Sequence, residues 1–289
     1  MYTGVDLRGA ILGRRSIRRY DRQPLDAGSL AQVQGIISGT EPLIAGNQFA
    51  VLLRDAPPGT DLVKELGGYG RILNPPHYLV PYVLGERHQL EEAGYGAEQI
   101  AVRLTALGIG SCFVGALRRE PEVRSLYGLP ADARMGAFLT LGRPSTSFGG
   151  RAVNRLLRAA AGASRRMPAH ELFFDSSFEN PTAPPRSIAP LIEAARHAPS
   201  AVNAQPWRLL MVDQRLYVFA TKSNIRYGTG PQQEYRFHDV GAAMANISLM
   251  LQTLDMSGSW RVRVEGAPDT PSHPSNLEPI ASLALKEGA

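Results

Sequence analysis

Twice along this chain a long amphipathic helix runs into a short turn and a strand, and each time one more strand closes the stretch. The first helix is predicted at 89–107, with Ile100, Leu104 and Leu107 aligned and Gly108 as its stop. The second is predicted at 239–254, with Val240, Met244, Ile247 and Leu251 on one stripe. Leu104-Thr-Ala-Leu-Gly-Ile-Gly-Ser and Leu251-Gln-Thr-Leu-Asp-Met-Ser-Gly occupy the same place in both copies. Around the first helix the pattern predicts helices at 6–13 and 26–37 and strands at 49–53, 78–84, 112–117 and 136–141. Pro81 in the second of these strands argues for an edge or a bulge. Around the second helix it predicts a helix at 188–197 ended by Pro199, and strands at 208–212 and 216–220 about a tight Asp213-Gln214-Arg215 turn. Strands at 260–264 and 281–285 close the chain. The order reads as a duplicated α+β unit, each half a mixed β-sheet flanked by helices. The halves are 1–170 and 171–289, with 143–167 as a linker that includes a basic helical segment. Two unrelated α+β stretches with a shared element order are the alternative. For the basic segment the readings are a solvated surface helix, which is favoured, or a flap over a bound anion or a partner surface.

Composition narrows the function. With 289 residues, 44% hydrophobic and 20% charged, the chain has the make-up of a folded protein with a sizeable core. Cys112 is the only cysteine, so there is no internal disulfide and no cysteine-based metal site. The six histidines are scattered and no HExxH pair occurs, so no metal is expected. The N-terminus lacks the layout of a signal peptide and no apolar run is long enough to span a bilayer. A cytoplasmic protein without membrane contact is expected. The net charge of +5 is carried almost wholly by arginine, with lysine only at 64, 222 and 286. Arginine's planar fork suits anion capture, although a GC-rich genome produces the same bias.

Two segments concentrate chemistry. Arg14-Arg15-Ser16-Ile17-Arg18-Arg19-Tyr20 clusters guanidinium groups and a hydroxyl just after a short helix. A bound phosphate relieves their mutual repulsion, each charge-assisted contact being typically worth about 1.5–3 kcal/mol. A basic surface turn is the bland alternative, and this segment alone does not choose between them. Ala198-Pro199-Ser200-Ala201-Val202-Asn203-Ala204-Gln205-Pro206-Trp207 joins a helix to a strand, its ends stiffened by proline and its middle small enough for backbone to approach a ligand. Asn203 and Gln205 offer paired donors and acceptors suited to a heterocycle edge. A capped turn packed by Trp207 is the alternative.

Other signals carry less. Gly108-Ile-Gly110 follows a helix and precedes a strand, the reverse of a dinucleotide fingerprint. Cys112 reads as a packed strand residue, Asp239 as a helix cap and His77 as structural.

These motifs resemble those of the nitroreductase superfamily of FMN enzymes. Members carry an R-R-S-I-R-x-Y-like segment after a first helix and an A-P-S-x-x-N-x-Q-P-W-like segment before a strand. The likeness extends to Leu107-Gly-Ile-Gly-Ser-Cys-Phe-Val-Gly115, similar to a glycine-rich stretch whose backbone faces flavin N5, and to Arg166-Met-Pro-Ala-His-Glu-Leu172, similar to a late Arg-x-Pro segment that returns to the phosphate. The resemblance assigns Arg14, Arg15, Ser16, Arg18 and Arg166 to the flavin phosphate and ribityl chain. It assigns Pro199, Ser200, Ala201 and Asn203 to the isoalloxazine, Val114 and Gly115 to N5, and Arg71 to flavin O2. Ala201 stands where relatives often have Ser. Relatives are usually homodimers whose sites take the arginines from one subunit and the loop from the other. Here the first half has the arginines but only Glu41-Pro-Leu-Ile-Ala-Gly-Asn-Gln-Phe49 at the loop position. The second half has the loop but Phe173-Phe-Asp-Ser-Ser-Phe-Glu-Asn180 at the arginine position, where Asp175 and Glu179 are poor company for a phosphate. The resemblance therefore implies a single-chain pseudo-dimer, a monomer with one live flavin site. It further implies NAD(P)H as co-substrate and ping-pong reduction of a nitroaromatic, quinone-like or other small acceptor. No side-chain acid or base is called for. The rival readings are a flavin-binding protein without turnover, for storage or sensing, a flavin dehydrogenase or dehalogenase, and nucleic-acid binding, which is disfavoured and predicts steep salt dependence.

Overall fold

The computed structural model describes residues 6–21, 23–160, 165–262 and 270–286. The first half runs α1 (Leu7–Gly13), α2 (Ala27–Ser38), β1 (Gln48–Asp55), the single turn α3 (Val63–Leu66), β2 (His77–Leu84), α4 (Gln89–Ala106), β3 (Gly110–Gly115), α5 (Glu120–Tyr127) and β4 (Ala137–Gly142). Then come α6 (Phe148–Ala160), the short α7 (Ala169–Leu172) and β5 (Phe173–Asp175). The second half continues with α8 (Ala189–His197), β6 (Trp207–Val212), β7 (Arg215–Thr221), α9 (Tyr235–Thr253), β8 (Ser257–Val262) and β9 (Leu277–Lys286).

Two sheets result. The first is antiparallel in the order β1-β2-β4-β3, and the second runs β5-β6-β7-β9-β8. Leaving out β5, which is parallel to β6, the second sheet repeats the order and antiparallel sense of the first. Local chemistry explains the element ends. Asp6 and Asp26 cap α1 and α2 by accepting from the amides of Gly9 and Ser29. Asp213 and Gln214 both take positive φ, 46° and 60°, the twist a two-residue hairpin needs. Pro81 lies beyond the β2–β4 pairing, which stops at Leu79, so β2 is paired there with β1 alone.

The correspondence extends to the helix ends. α4 closes on Gly108 (φ 72°) with the Ile109 amide bonded to Leu104 O at 2.9 Å. α9 closes on Asp255 (φ 51°) with the Met256 amide bonded to Leu251 O at 3.1 Å. β3 and β8 begin two residues later in each case. The two long helices cross at the centre of the molecule. A Cβ on Gly94 would collide with the carbonyl of His238, and a Cβ on Gly241 would collide with the carbonyl of Glu91. One sequence interval separates Gly94 from Gly241 and Glu91 from His238, so the contact is reciprocal in the manner of a two-fold interface. α4 is buried along nearly its whole length: Ile100 and Leu104 pack with α2 and the first sheet, Tyr95 and Val102 with α8, α9 and the second sheet.

Several predicted bounds shift. The strand expected at 112–117 is Gly110–Gly115, because Leu117–Arg119 winds into a 3-10 turn. α9 starts at Tyr235, four residues before the predicted start. Residues 263 and 264 of the predicted strand 260–264 lie outside the described residues. Phe173–Asp175, at the second half's arginine position, is an edge strand of the second sheet.

Candidate functional site

α1 ends at Gly13 and the arginine segment leaves it in extended form, running beside β3: Ser16 bridges Ser111, and the Ile17 amide donates to Ser111 O at 2.8 Å. Arg14 turns inward, 6% exposed, with its Nε 3.0 Å from Glu98 Oε1 on α4. The alignment is poor, so Arg14 Nε and Nη1 and both Glu98 oxygens lack a hydrogen-bond partner. Arg18 Nη1 and Ser111 Oγ are also buried without a partner. Buried polar groups are nearly always satisfied, so this concentration is unusual. Arg15 is exposed. Burial pushes Glu98 up to about 7, with Arg14 and Arg166 pulling the other way. Burial, then repulsion from Arg14, pushes Arg166 down to about 10. Cys112 is buried and its thiol is pushed up by that burial, consistent with a packed residue.

The basic helix α6 docks on this segment. Asn154 Oδ1 accepts from the Arg18 and Arg19 amides at 2.8 and 2.9 Å, and its Nδ2 donates to Arg19 O at 3.1 Å. α6 otherwise lies on the surface, as the favoured reading has it, with Phe148 and Leu156 exposed and none of its described side chains buried.

The loop 199–206 is held from several sides. Val202, Asn203 and Gln205 all take left-handed backbone, φ 48°, 55° and 49°, each costing on the order of 1–3 kcal/mol when the residue is not glycine. Asn203 Nδ2 and Gln205 Nε2 donate to Arg165 O, and Gln205 Oε1 accepts from the Met167 amide at 2.8 Å. Ser200 Oγ accepts from the Gln205 amide at 3.0 Å. Arg166 forks onto the C-terminus of α8, donating to Ala198 O at 2.6 Å and His197 O at 3.0 Å. It thereby stands between Pro199 and the Arg14–Glu98 pair. Pro199, Ser200 and Ala201 are half-buried.

Asp239 completes the arrangement. Its Oδ2 accepts from the Ala201 amide at 2.8 Å and from Tyr227 Oη at 2.8 Å. The expectation that Asp239 caps the helix is therefore wrong: it lies inside α9, and its carboxylate holds the loop. Glu92, at the corresponding place on α4, accepts from the amides of Leu43 and Ile44 in the first half's loop. Nearby, Tyr235 presses its hydroxyl against Gly115 and accepts from the Leu117 amide at 3.3 Å, so the exposed end of β3 meets the second half. Burial pushes Tyr235 up to about 12. Val114 is buried beside Gly115.

Thus Arg14, Ser16, Arg18 and Arg166 are linked on one side, and Gly115 with Ala201 on the other through Tyr235 and Asp239. Arg71 ends the exposed turn Gly67–Arg71, whose Tyr69 lies within electrostatic reach of Tyr235. His77 is structural: its Nε2 accepts from the Leu25 amide. Sequence reasoning missed Glu98, Tyr235 and Asn154. A carboxylate at matching places on two repeated helices, Glu92 and Asp239, was the one signal available for the loop anchor. Among the described residues no cluster of His, Cys, Asp and Glu could hold a metal, and no helix is long and apolar enough to cross a membrane.

A mixed α+β chain with two like-ordered sheets, a shared helical centre and a cationic segment facing a strained loop defines a recognisable class. Residues 6–250 match the family described as "Putative TM nitroreductase", and the chain belongs to that nitroreductase family. Its fold is similar to that of a nitroreductase from Thermotoga maritima, with a TM-score of 0.59 and 18% identity over 99% of this chain and 96% of the other. Two further similar structures are a nitroreductase in complex with FMN from Desulfovibrio desulfuricans and an NADPH:FMN oxidoreductase from Vibrio harveyi complexed with NAD+. They have TM-scores of 0.42 and 0.39 and identities of 19% and 17%. They cover 50% and 48% of this chain, and 89% and 69% of their own. No curated protein matches the sequence.

Proposed function

We propose that the chain is an FMN-binding oxidoreductase with one flavin site between its halves, reducing a small acceptor with electrons from NADH or NADPH. The observation that carries this reading is the set of buried donors without partners, Arg14 Nη1, Arg18 Nη1 and Ser111 Oγ, beside Arg166. They fit a phosphate. Glu98 fits it only in its protonated form, which a value of about 7 makes accessible near neutrality. Ser16 and the exposed Arg15 complete the phosphate side. The loop from Pro199 to Asn203 would hold the isoalloxazine from the other half, and backbone at Val114 and Gly115 would line its N5 side. Arg71 would supply positive charge on the O2 side. Bound FMN supplies reversible two-electron chemistry; the protein's part is placement, exclusion of water and electrostatic field.

Family membership supports oxidoreductase chemistry. The like strand order and the reciprocal Gly94–Gly241 crossing support a tandem pseudo-dimer; that it works as a cytoplasmic monomer is part of the proposal. Flavin released on denaturation tests the reading. One FMN per chain is expected, whereas two would contradict a single live site and none would end the proposal. Anaerobic NADH or NADPH is expected to bleach the bound flavin. Asn154 docking of α6 over the arginine segment favours a second reading, a covered flavin that does not turn over. Failure of both nucleotides to bleach, with bound FMN shielded from a soluble fluorescence quencher, would favour it.

A further inference from the structure

A second concentration of cations lies away from the segment 14–18. A cavity of about 700 Å³ is lined by Arg165 and Arg166, by Arg208 on β6, and by Thr221 and Arg226 at and beyond the end of β7. Glu171 is the single carboxylate among the lining residues. Among the described residues none of these four arginines makes an ion pair with a carboxylate. Burial lowers the Arg208 pKa, offset in part by Glu171, so its charge stands partly desolvated. Thr221 Oγ1 is buried without a hydrogen-bond partner. Converging guanidinium groups repel one another and lose hydration, and an anion in the cavity would answer both costs.

The arginines are already fixed by backbone. Arg208 Nη1 donates to Trp207 O at 2.7 Å and Arg226 Nη1 donates to Asn203 O at 2.8 Å. Each guanidinium keeps further N–H groups for a ligand, and prior fixing lowers the entropy cost of capture. The volume falls in the range of small-molecule pockets, about 300–1,000 Å³, and exceeds what a lone oxyanion needs. Arginine rather than lysine throughout suits the two-pronged grip of phosphate oxygens.

We propose that this cavity binds a phosphorylated small molecule of nucleotide size, gripped chiefly by Arg208 and Arg226, at a site separate from the arginine segment. Arg166, Val202 and Asn203 are the lining residues it shares with the proposed flavin site. Because Arg226 also holds the Asn203 carbonyl, a ligand here would stiffen the loop 199–206 from behind.

The test is calorimetric titration of the FMN-saturated protein with AMP, pyrophosphate and inorganic phosphate at low and high salt. Saturable, salt-sensitive binding is expected, with AMP tighter than inorganic phosphate. Arg226→Ala and Arg208→Ala, each titrated as the FMN-saturated protein, should weaken AMP at least tenfold. Arg226 is exposed, so its variant keeps the test interpretable if Arg208→Ala folds poorly. Absence of saturable binding, or undiminished binding in Arg226→Ala, would overturn the proposal. Displacement of FMN by pyrophosphate would overturn it too, by making the cavity part of the flavin phosphate site. Inorganic phosphate binding as tightly as AMP would refute nucleotide size.

Discussion

Glu98 has no exposed surface, no well-aligned hydrogen bond, and an arginine 3.0 Å away. Its folded value of about 7 lies above the ordinary 4.5. Between those values the folded chain holds a proton that the unfolded chain has released. Stability must therefore fall as pH rises from about 4.5 to 7, by on the order of 3 kcal/mol at ~1.4 kcal/mol per unit. Urea melts at pH 5 and pH 8 should show that slope, and Glu98→Gln should flatten it. On the proposed function the same proton sets the charge beside the flavin phosphate, so FMN affinity should weaken above pH 7 in the native chain and not in Glu98→Gln. Arg14→Ala should lose FMN altogether, and Asn203→Ala should lose it in part; flavin content of the purified variants decides. Arg14 was legible in the sequence because clustered arginines break a helix's usual composition. Glu98 was not, because a glutamate off the apolar stripe of a helix reads as solvated. Only the burial of α4 on every side changes that meaning.

At the scale of elements, the loop 199–206 and the first turns of α9 form one unit through Asp239. Asp239→Ala would strand the half-buried Ala201 amide and the buried Tyr227 hydroxyl, the latter at about 1–3 kcal/mol. The expected result is a lowered melting temperature together with faster proteolysis in the loop, while Asp239→Asn, which keeps an acceptor, should be milder. The loop itself was readable from its two prolines and small residues. The anchoring was hidden because α9 starts without a side-chain cap. The turn Gly230–Glu234 feeds directly into Tyr235, so the first aspartate after it looked like the N-cap. The strand after α4 was placed two residues late because Gly110 reads as part of the turn that Gly108 opens, whereas it already belongs to β3.

For the molecule as a whole, the crossing of α4 and α9 is where the halves meet most closely. Gly94→Ala and Gly241→Ala each drive a methyl group into a backbone carbonyl of the opposite helix. Both should cost about 1–3 kcal/mol or more, and a near-equal loss in the two variants is expected from the reciprocal geometry; denaturant melts measure it. The duplicated order of elements was legible because the helix–turn–strand passage repeats. The crossing was not, since glycines inside a helix pattern carry no sign of their partner. Glu92 and Asp239 show what such an arrangement permits. In an assembly of identical subunits one codon change alters both loops at once, whereas here each anchor is written separately. Either loop can therefore be rebuilt by mutation while its counterpart keeps the old chemistry, provided the two glycines at the crossing stay as they are.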